Sequence, residues 1–187
     1  MGNTYLFLLI ILFSADPPNS KKAEALNYID TYKQLAVVEM YRSGVPASIT
    51  MAQALHESNY GQSSLATKAN NHFGIKCKKY WTGGTYFHKD DDLNSRGELI
   101  ESCFRSYNSA LDSYVDHSNF LKNSANYVQL FFLDKRDYKA WAHGLQKAGY
   151  ATDKAYAIKL IKKIEEYSLA ELDNLPNPLA NTYRRIN

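Results

Sequence analysis

The sequence predicts a mostly helical α+β domain with a small β-containing insertion, and three observations lead there. Apolar residues recur at helical spacing in stretches before residue 60 and after residue 109. Between them, residues 70–107 carry Gly74, Gly83, Gly84 and Gly97 among short runs such as "GTYFH" and "LIESCFRSY", the pattern of short strands and turns. No internal repeat or low-complexity linker divides the 187 residues, a length that suits one domain with a real core and short tails.

The elements follow in chain order. Tyr5–Phe13 is an apolar run too short to cross a bilayer. It has the length of a signal-peptide core and is followed by the small residues Ser14 and Ala15, although no Lys or Arg precedes it. The expectation is a leader over residues 1–20, export to the periplasm or cell exterior, and no stable membrane anchor. Lys21–Arg42 places Ala25, Tyr28, Ile29, Tyr32, Leu35, Ala36, Val38 and Met40 at helical spacing. "SGVP" interrupts it, and Pro46 is expected in the first turn of a second helix running to about Ser58, with Asn59 and Gly61 as stop signals. Small and apolar residues nearly surround this second helix, so it should lie buried at the centre of a bundle. Further helices are expected at Ala110–Lys122, at Tyr138–Lys147 and after "AGYATD", where Thr152 is the candidate N-cap. Residues 171–187 are read as a C-terminal tail, whose stretch "NLPNPLANTYRRIN", residues 174–187, is expected to be extended or loosely packed.

Composition narrows the function. The formal charge of +3 is mild and scattered. "KCKK" at Lys76–Lys79 lacks the surroundings of a nucleic-acid module, and no nucleic-acid partner is expected; a weakly basic surface suits a polyanion such as a bacterial wall. Cys77 and Cys103 are an even count outside any CxxC, and a bridge between them would close the glycine-rich segment. His56, His72, His88, His117 and His143 are dispersed and read as surface or hydrogen-bonded residues. No metal and no cofactor are expected, and the protein reads as a monomer.

"MAQALHESNYG", Met51–Gly61, is where chemistry concentrates. His56-Glu57 begins a zinc-protease motif, but that motif needs a second His one turn later, and Ser58, Asn59 and Tyr60 follow instead. Glu57 is the only charge of its helix and sits in the last turn, where the negative end of the macrodipole disfavours a carboxylate. Burial among Met51, Leu55 and Tyr60 would act the same way. An acid still protonated near neutral pH can protonate a leaving glycosidic oxygen. The plainer alternative is a salt bridge to a neighbour.

Together, "PASITMAQALHESNYGQSSLATKANNHFGIK", "FRSYNS" with "SYVDHSNFL", and "LQKAGYATDKAYAIKLIKKIEEY" resemble the glycoside hydrolase family 73 glucosaminidases, which are bacterial wall hydrolases. The resemblance runs from about Tyr28 to Tyr167. It implies a lysozyme-like fold, with a helical lobe and a small β-lobe over about residues 74–107 flanking a groove, in a catalytic domain spanning residues 21–170. It implies cleavage of the β-1,4 bond between N-acetylglucosamine and N-acetylmuramic acid in peptidoglycan glycan strands.

Position by position, the family's acid falls on Glu57, its shaping residues on Asn71, Phe73 and Gly74, its tyrosine near the acid on Tyr150, and a further aromatic position on Tyr156. The second carboxylate is less direct: "YFHKDDDLN" stands where many members carry a Glu, which makes Asp91 the nearest candidate, with Asp90 and Asp92 beside it and Glu101 as a rival. A solvated acidic turn is the other reading of "DDD", and assistance by the substrate's N-acetyl group would replace a second carboxylate altogether. Trp81, with Tyr80, could stack on sugar faces. Two other classes compete: a cysteine peptidase using Cys77 or Cys103, which needs a free thiolate near an imidazole, and a non-catalytic wall-binding or scaffold module.

Overall fold

Helix α2 (Ala47–Glu57) is buried at every position from Ala47 to Leu55. The computed structural model describes residues 20–93 and 96–180, with residues 90–93 as backbone only, so the expected leader lies outside the described residues apart from Ser20. Small side chains at Ala47, Ser48, Ala52 and Ala54 let other elements close on α2 from all sides. These are α1 (Ser20–Ser43), α5 (Tyr138–Lys147), α6 (Tyr156–Glu166) and a 3-10 turn at Leu169–Asn174. Ile49, Met51 and Leu55 fill the space between them with Trp141, Leu145, Leu160 and Ile164 in one apolar cluster. Burying such side chains contributes roughly 1.5–3 kcal/mol each. No helix among the described residues is long and apolar enough to cross a membrane.

Local sequence explains most helix starts. Ser63 caps α3 (Ser64–Ala69) by accepting from the Ala66 amide, and Ser109 caps α4 (Ala110–Asn123) by accepting from Asp112. Asp137 caps α5 through the Ala140 amide. Two expectations are corrected. Thr152 is not the cap of α6: Asp153 lies closer and binds the Ala155 amide with its carboxylate and the Tyr156 amide with its carbonyl. Pro46 stands one position before α2 rather than in its first turn and offers no side-chain acceptor. Asp173 serves instead, accepting from the Ser48 amide at 2.8 Å and from its hydroxyl at 2.6 Å. The segment read as tail, residues 171–187, thus begins inside the fold, where Leu172 is buried and Asp173 is tied to α2.

The β-lobe is an antiparallel hairpin of β1 (Gly84–Leu93) and β2 (Leu99–Ser106), in register from Gly84 opposite Ser106 to Lys89 opposite Glu101. Pairing is irregular between Lys89 and Leu93, and the acidic run Asp90–Asp92, for which a turn is the alternative reading, continues the β1 backbone. Residues 75–77 run along the other side of β2. The Arg105 amide donates to the Ile75 carbonyl at 2.9 Å and the Cys77 amide to the Cys103 carbonyl at 2.8 Å. A Cys77–Cys103 disulfide closes this arrangement.

Candidate active site

Glu57 is the last residue of α2, and the turn after it is unusual. Asn59, Tyr60 and Gly61 all take positive φ, at 48°, 58° and 83°. A bulky residue such as Tyr60 rarely adopts this conformation, and here Lys163 holds it, donating to the Tyr60 hydroxyl at 2.8 Å with its ammonium 4.4 Å over the ring. Gly61 is required twice over: by its φ, and because a Cβ there would lie 2.7 Å from the Tyr28 ring. Ser58 tightens the reversal, donating to the Ala54 carbonyl and accepting from the Gly61 amide. The helix stops abruptly, and Glu57 faces a hollow of about 270 Å³.

Glu57, Tyr150 and Ala151 from the helical lobe and Phe73–Lys76 from the segment leading into the β-lobe line that hollow, with Phe120 also on its wall. Phe73 is fixed by stacking on His117, with ring centroids 3.9 Å apart and planes 11° apart, and by an edge contact with Tyr114. Asn71 does not reach the hollow. Its buried amide donates to the Ile75 and Arg105 carbonyls and accepts from the Ile75 amide, bracing the wall against β2.

Tyr150 and Tyr156 stack on each other, 5.5 Å apart at 21°. The hydroxyl of Tyr156, not that of Tyr150, donates to Glu57 Oε1, at 2.9 Å. The Tyr156 hydroxyl in turn accepts from Gln53 Nε2 at 3.0 Å. Burial pushes both phenols well above the usual tyrosine range, and the charge of Glu57 adds to this, so both stay protonated. Burial, followed by Lys163 and Lys159, lowers the pKa of His56, so the imidazole preceding the acid favours its neutral form.

Trp81 sits farther along the lobe. Its ring lies against the Arg105 guanidinium at 4.5 Å and edge-on to Tyr107 at 5.9 Å, and Nε1 donates to the Gly84 carbonyl. Arg105 and Tyr80 line a second hollow of about 360 Å³ that shares Phe120 with the first. Asp116, also on its wall, is engaged by Arg105 and by the Tyr107 hydroxyl. Asp91 lies on the backbone of β1, and its side chain is outside the described residues. Glu101 is exposed on β2 opposite Lys89.

The sequence model described as "Mannosyl-glycoprotein endo-beta-N-acetylglucosaminidase" matches residues 33–169. The chain belongs to the glucosaminidase family, glycoside hydrolase family 73. Glu57, Phe73, Gly74 and Tyr150, four of the positions singled out by the sequence resemblance, line the first hollow, whereas Asn71 and Tyr156 stand behind it. Exo-glucosaminidase LytG of Bacillus subtilis (strain 168) is 33% identical over 180 residues, covering 92% of this chain and 63% of LytG. Peptidoglycan hydrolase FlgJ of Vibrio cholerae is 33% identical over 124 residues, 64% of this chain and 36% of FlgJ. The chain thus spans less than two thirds of either relative. Among solved structures, the catalytic domain of the autolysin Auto from Listeria monocytogenes superposes with a TM-score of 0.72 at 25% identity, covering 91% of this chain and all of that one. The truncated glycoside hydrolase domain of Salmonella typhimurium FlgJ gives 0.62 at 28% identity, covering 77% and 97%.

The cysteine-peptidase alternative fails, because the only two cysteines of the chain are bonded to each other and supply no thiolate. Residue patterns missed Gln53 and His117 as parts of the site. The signal for Gln53 was present: a buried amide one helical turn before Glu57 on an otherwise small and apolar helix. His117 had no signal beyond its type.

Proposed function

We propose that this chain hydrolyses the β-1,4 bond between N-acetylglucosamine and N-acetylmuramic acid in peptidoglycan, with Glu57 as general acid, at the cell wall after export. The observation that carries this is the Glu57 carboxyl, delivered by the end of a rigid buried helix into a hollow of about 270 Å³ and held from behind by the Tyr156 hydroxyl. The names of the relatives, an exo-glucosaminidase and a peptidoglycan hydrolase, support the substrate class.

In the reaction, protonated Glu57 gives its proton to the glycosidic oxygen as the bond to the anomeric carbon breaks. Phe73 and Tyr150 offer ring surface to the sugar beside it, and Trp81 and Tyr80 to sugars farther along. Asn71 acts by holding the wall, and Tyr156 by holding the acid. Asp91 is the proposed second carboxylate, as a base for water in an inverting reaction or as the nucleophile in a retaining one. Glycan strands are the partner, with a monomer over residues 21–170 doing the binding.

Digestion of purified walls, followed by mass spectrometry of the fragments, tests this. New reducing ends on N-acetylglucosamine, lost in Glu57→Gln, are expected. New reducing ends on N-acetylmuramic acid would overturn the bond assignment, and normal lysis by a folded Glu57→Gln protein would overturn the mechanism.

A further inference from the structure

Behind Glu57 lies a line of three buried polar side chains that the reaction itself does not touch. His117 Nε2 is 3.1 Å from Gln53 Oε1, Gln53 Nε2 is 3.0 Å from the Tyr156 hydroxyl, and that hydroxyl is 2.9 Å from Glu57 Oε1. His117 and Gln53 are fully buried and Tyr156 is 1% exposed, so water does not compete for these bonds. The line joins α4, α2 and α6 and ends on the carboxyl group.

We propose that His117 and Gln53 are positioning residues whose fixed polarity makes Tyr156 donate its one hydroxyl proton to Glu57 Oε1, which places the acid's own proton on Oε2. The inference rests on Glu57 being the acid proposed above.

A tyrosine hydroxyl has one proton and can rotate. It points at Glu57 only if its other neighbour is a donor. Gln53 supplies a donor with the amide nitrogen towards Tyr156; turned over, it would present its oxygen and draw the hydroxyl proton away from Glu57. The amide is kept in place at its far end, where Oε1 needs a donor. His117 provides one as the neutral ring protonated on Nε2. The opposite tautomer would place a proton on Nδ1, which is buried with no partner among the described residues, and a buried unpaired N–H is costly.

Two features keep the imidazole in that state. Burial lowers its pKa to about 3, so it stays neutral through the pH range of most hydrolases. Stacking on Phe73 holds the ring plane, which ties the line to the wall of the hollow. Each bond then donates in one direction, from His117 to the carboxyl, and bonds aligned head to tail reinforce one another.

A donor to Oε1 stabilises the carboxylate relative to the acid. Glu57 works protonated, so its ionisation sets the alkaline limb of the pH profile. Among the described residues, the other ionisable groups around it include Tyr150 and Tyr156, Lys76 and Lys78 on the hollow's wall, and His56 beside it, and none is altered in the variants below.

The test compares three purified variants on soluble glycan fragments, with kcat/KM measured against pH. His117→Phe keeps a flat ring against Phe73 and removes the donor; Gln53→Met removes the amide at similar length; His117→Gln restores an N–H donor near Nε2. His117→Phe and Gln53→Met should shift the alkaline limb upward by about half to one pH unit, the size expected for loss of one ordinary hydrogen bond. His117→Gln should move it back. A purely structural role would alter stability and leave the limb in place, and an unmoved limb in folded His117→Phe and Gln53→Met overturns the proposal. A second measurement needs neither activity nor a variant. Nitrogen NMR of His117 in the unaltered protein should show a protonated Nε2 and a bare Nδ1 at neutral pH, and a proton on Nδ1 overturns the proposal. Because this readout is independent of turnover, failure of Glu57 as the acid and failure of the positioning line can be told apart.

Discussion

Glu57 and Tyr156 are 99 positions apart in the chain, and their side-chain oxygens are 2.9 Å apart. Removing the acid proton in Glu57→Gln should lower wall hydrolysis by roughly 10²–10⁴-fold, the range of general acid catalysis, with circular dichroism unchanged. Tyr156→Phe should cost less, about tenfold in kcat, because it removes one hydrogen bond to the carboxylate that forms as the proton leaves and keeps the acid in place. Its alkaline limb should also move to higher pH, since the carboxylate loses a donor. Equal kcat and an unmoved limb in Tyr156→Phe would show that the contact does not serve catalysis.

At the scale of elements, the two ends of α2 are managed by different means. Its C-terminus ends in a turn that only Gly61 can complete against Tyr28. Its N-terminus lacks a local cap and takes one from Asp173, 125 residues away. Asp173→Ala should therefore destabilise the protein by about 1–2 kcal/mol, the cost of a lost N-cap, and Asp173→Asn by less; urea unfolding reads both. A wild-type midpoint in Asp173→Ala would mean that α2 is held by packing alone. In the β-lobe, the disulfide joins the segment carrying Lys76 and Lys78 to β2. Replacing both cysteines with serine should cost about 3 kcal/mol of stability, by chain-entropy arguments for a loop of this length. It should also raise KM more than it lowers kcat, because it loosens the wall and leaves the acid untouched.

The stability of the molecule as a whole should depend on pH through two buried imidazoles. His72 is 3% exposed and its Nδ1 is hydrogen-bonded to the Tyr28 hydroxyl at 2.7 Å; burial lowers its pKa from 6.5 to about 4, and that of His117 to about 3. The unfolded chain takes up a proton below pH 6.5, whereas the folded protein does so only below about 4. This contribution is thus complete above 6.5 and is lost as pH falls towards 4, by about 3 kcal/mol for His72 alone. Thermal unfolding should show a midpoint falling across that window, with a shallower fall in His72→Asn. An identical slope in that variant would assign the acid sensitivity elsewhere.

The sequence by itself determined five of the six α-helices, the buried character of α2, the placement of Glu57 at its end and the family, because these depend on periodicity, stop signals and residue order within single stretches; the six residues of α3 are too few to show a period. Tyr150 and Phe73 beside the acid were legible through the family pattern alone. The tertiary structure decided what crosses between stretches: Asp173 capping α2, Tyr156 rather than Tyr150 binding Glu57, Asn71 turned to the backbone, and Arg105 packed against the Trp81 ring. Gln53 and His117 belong with these, since a buried polar group takes its meaning from the partner that satisfies it. That partner is chosen by packing between helices, and no local pattern of residues records it.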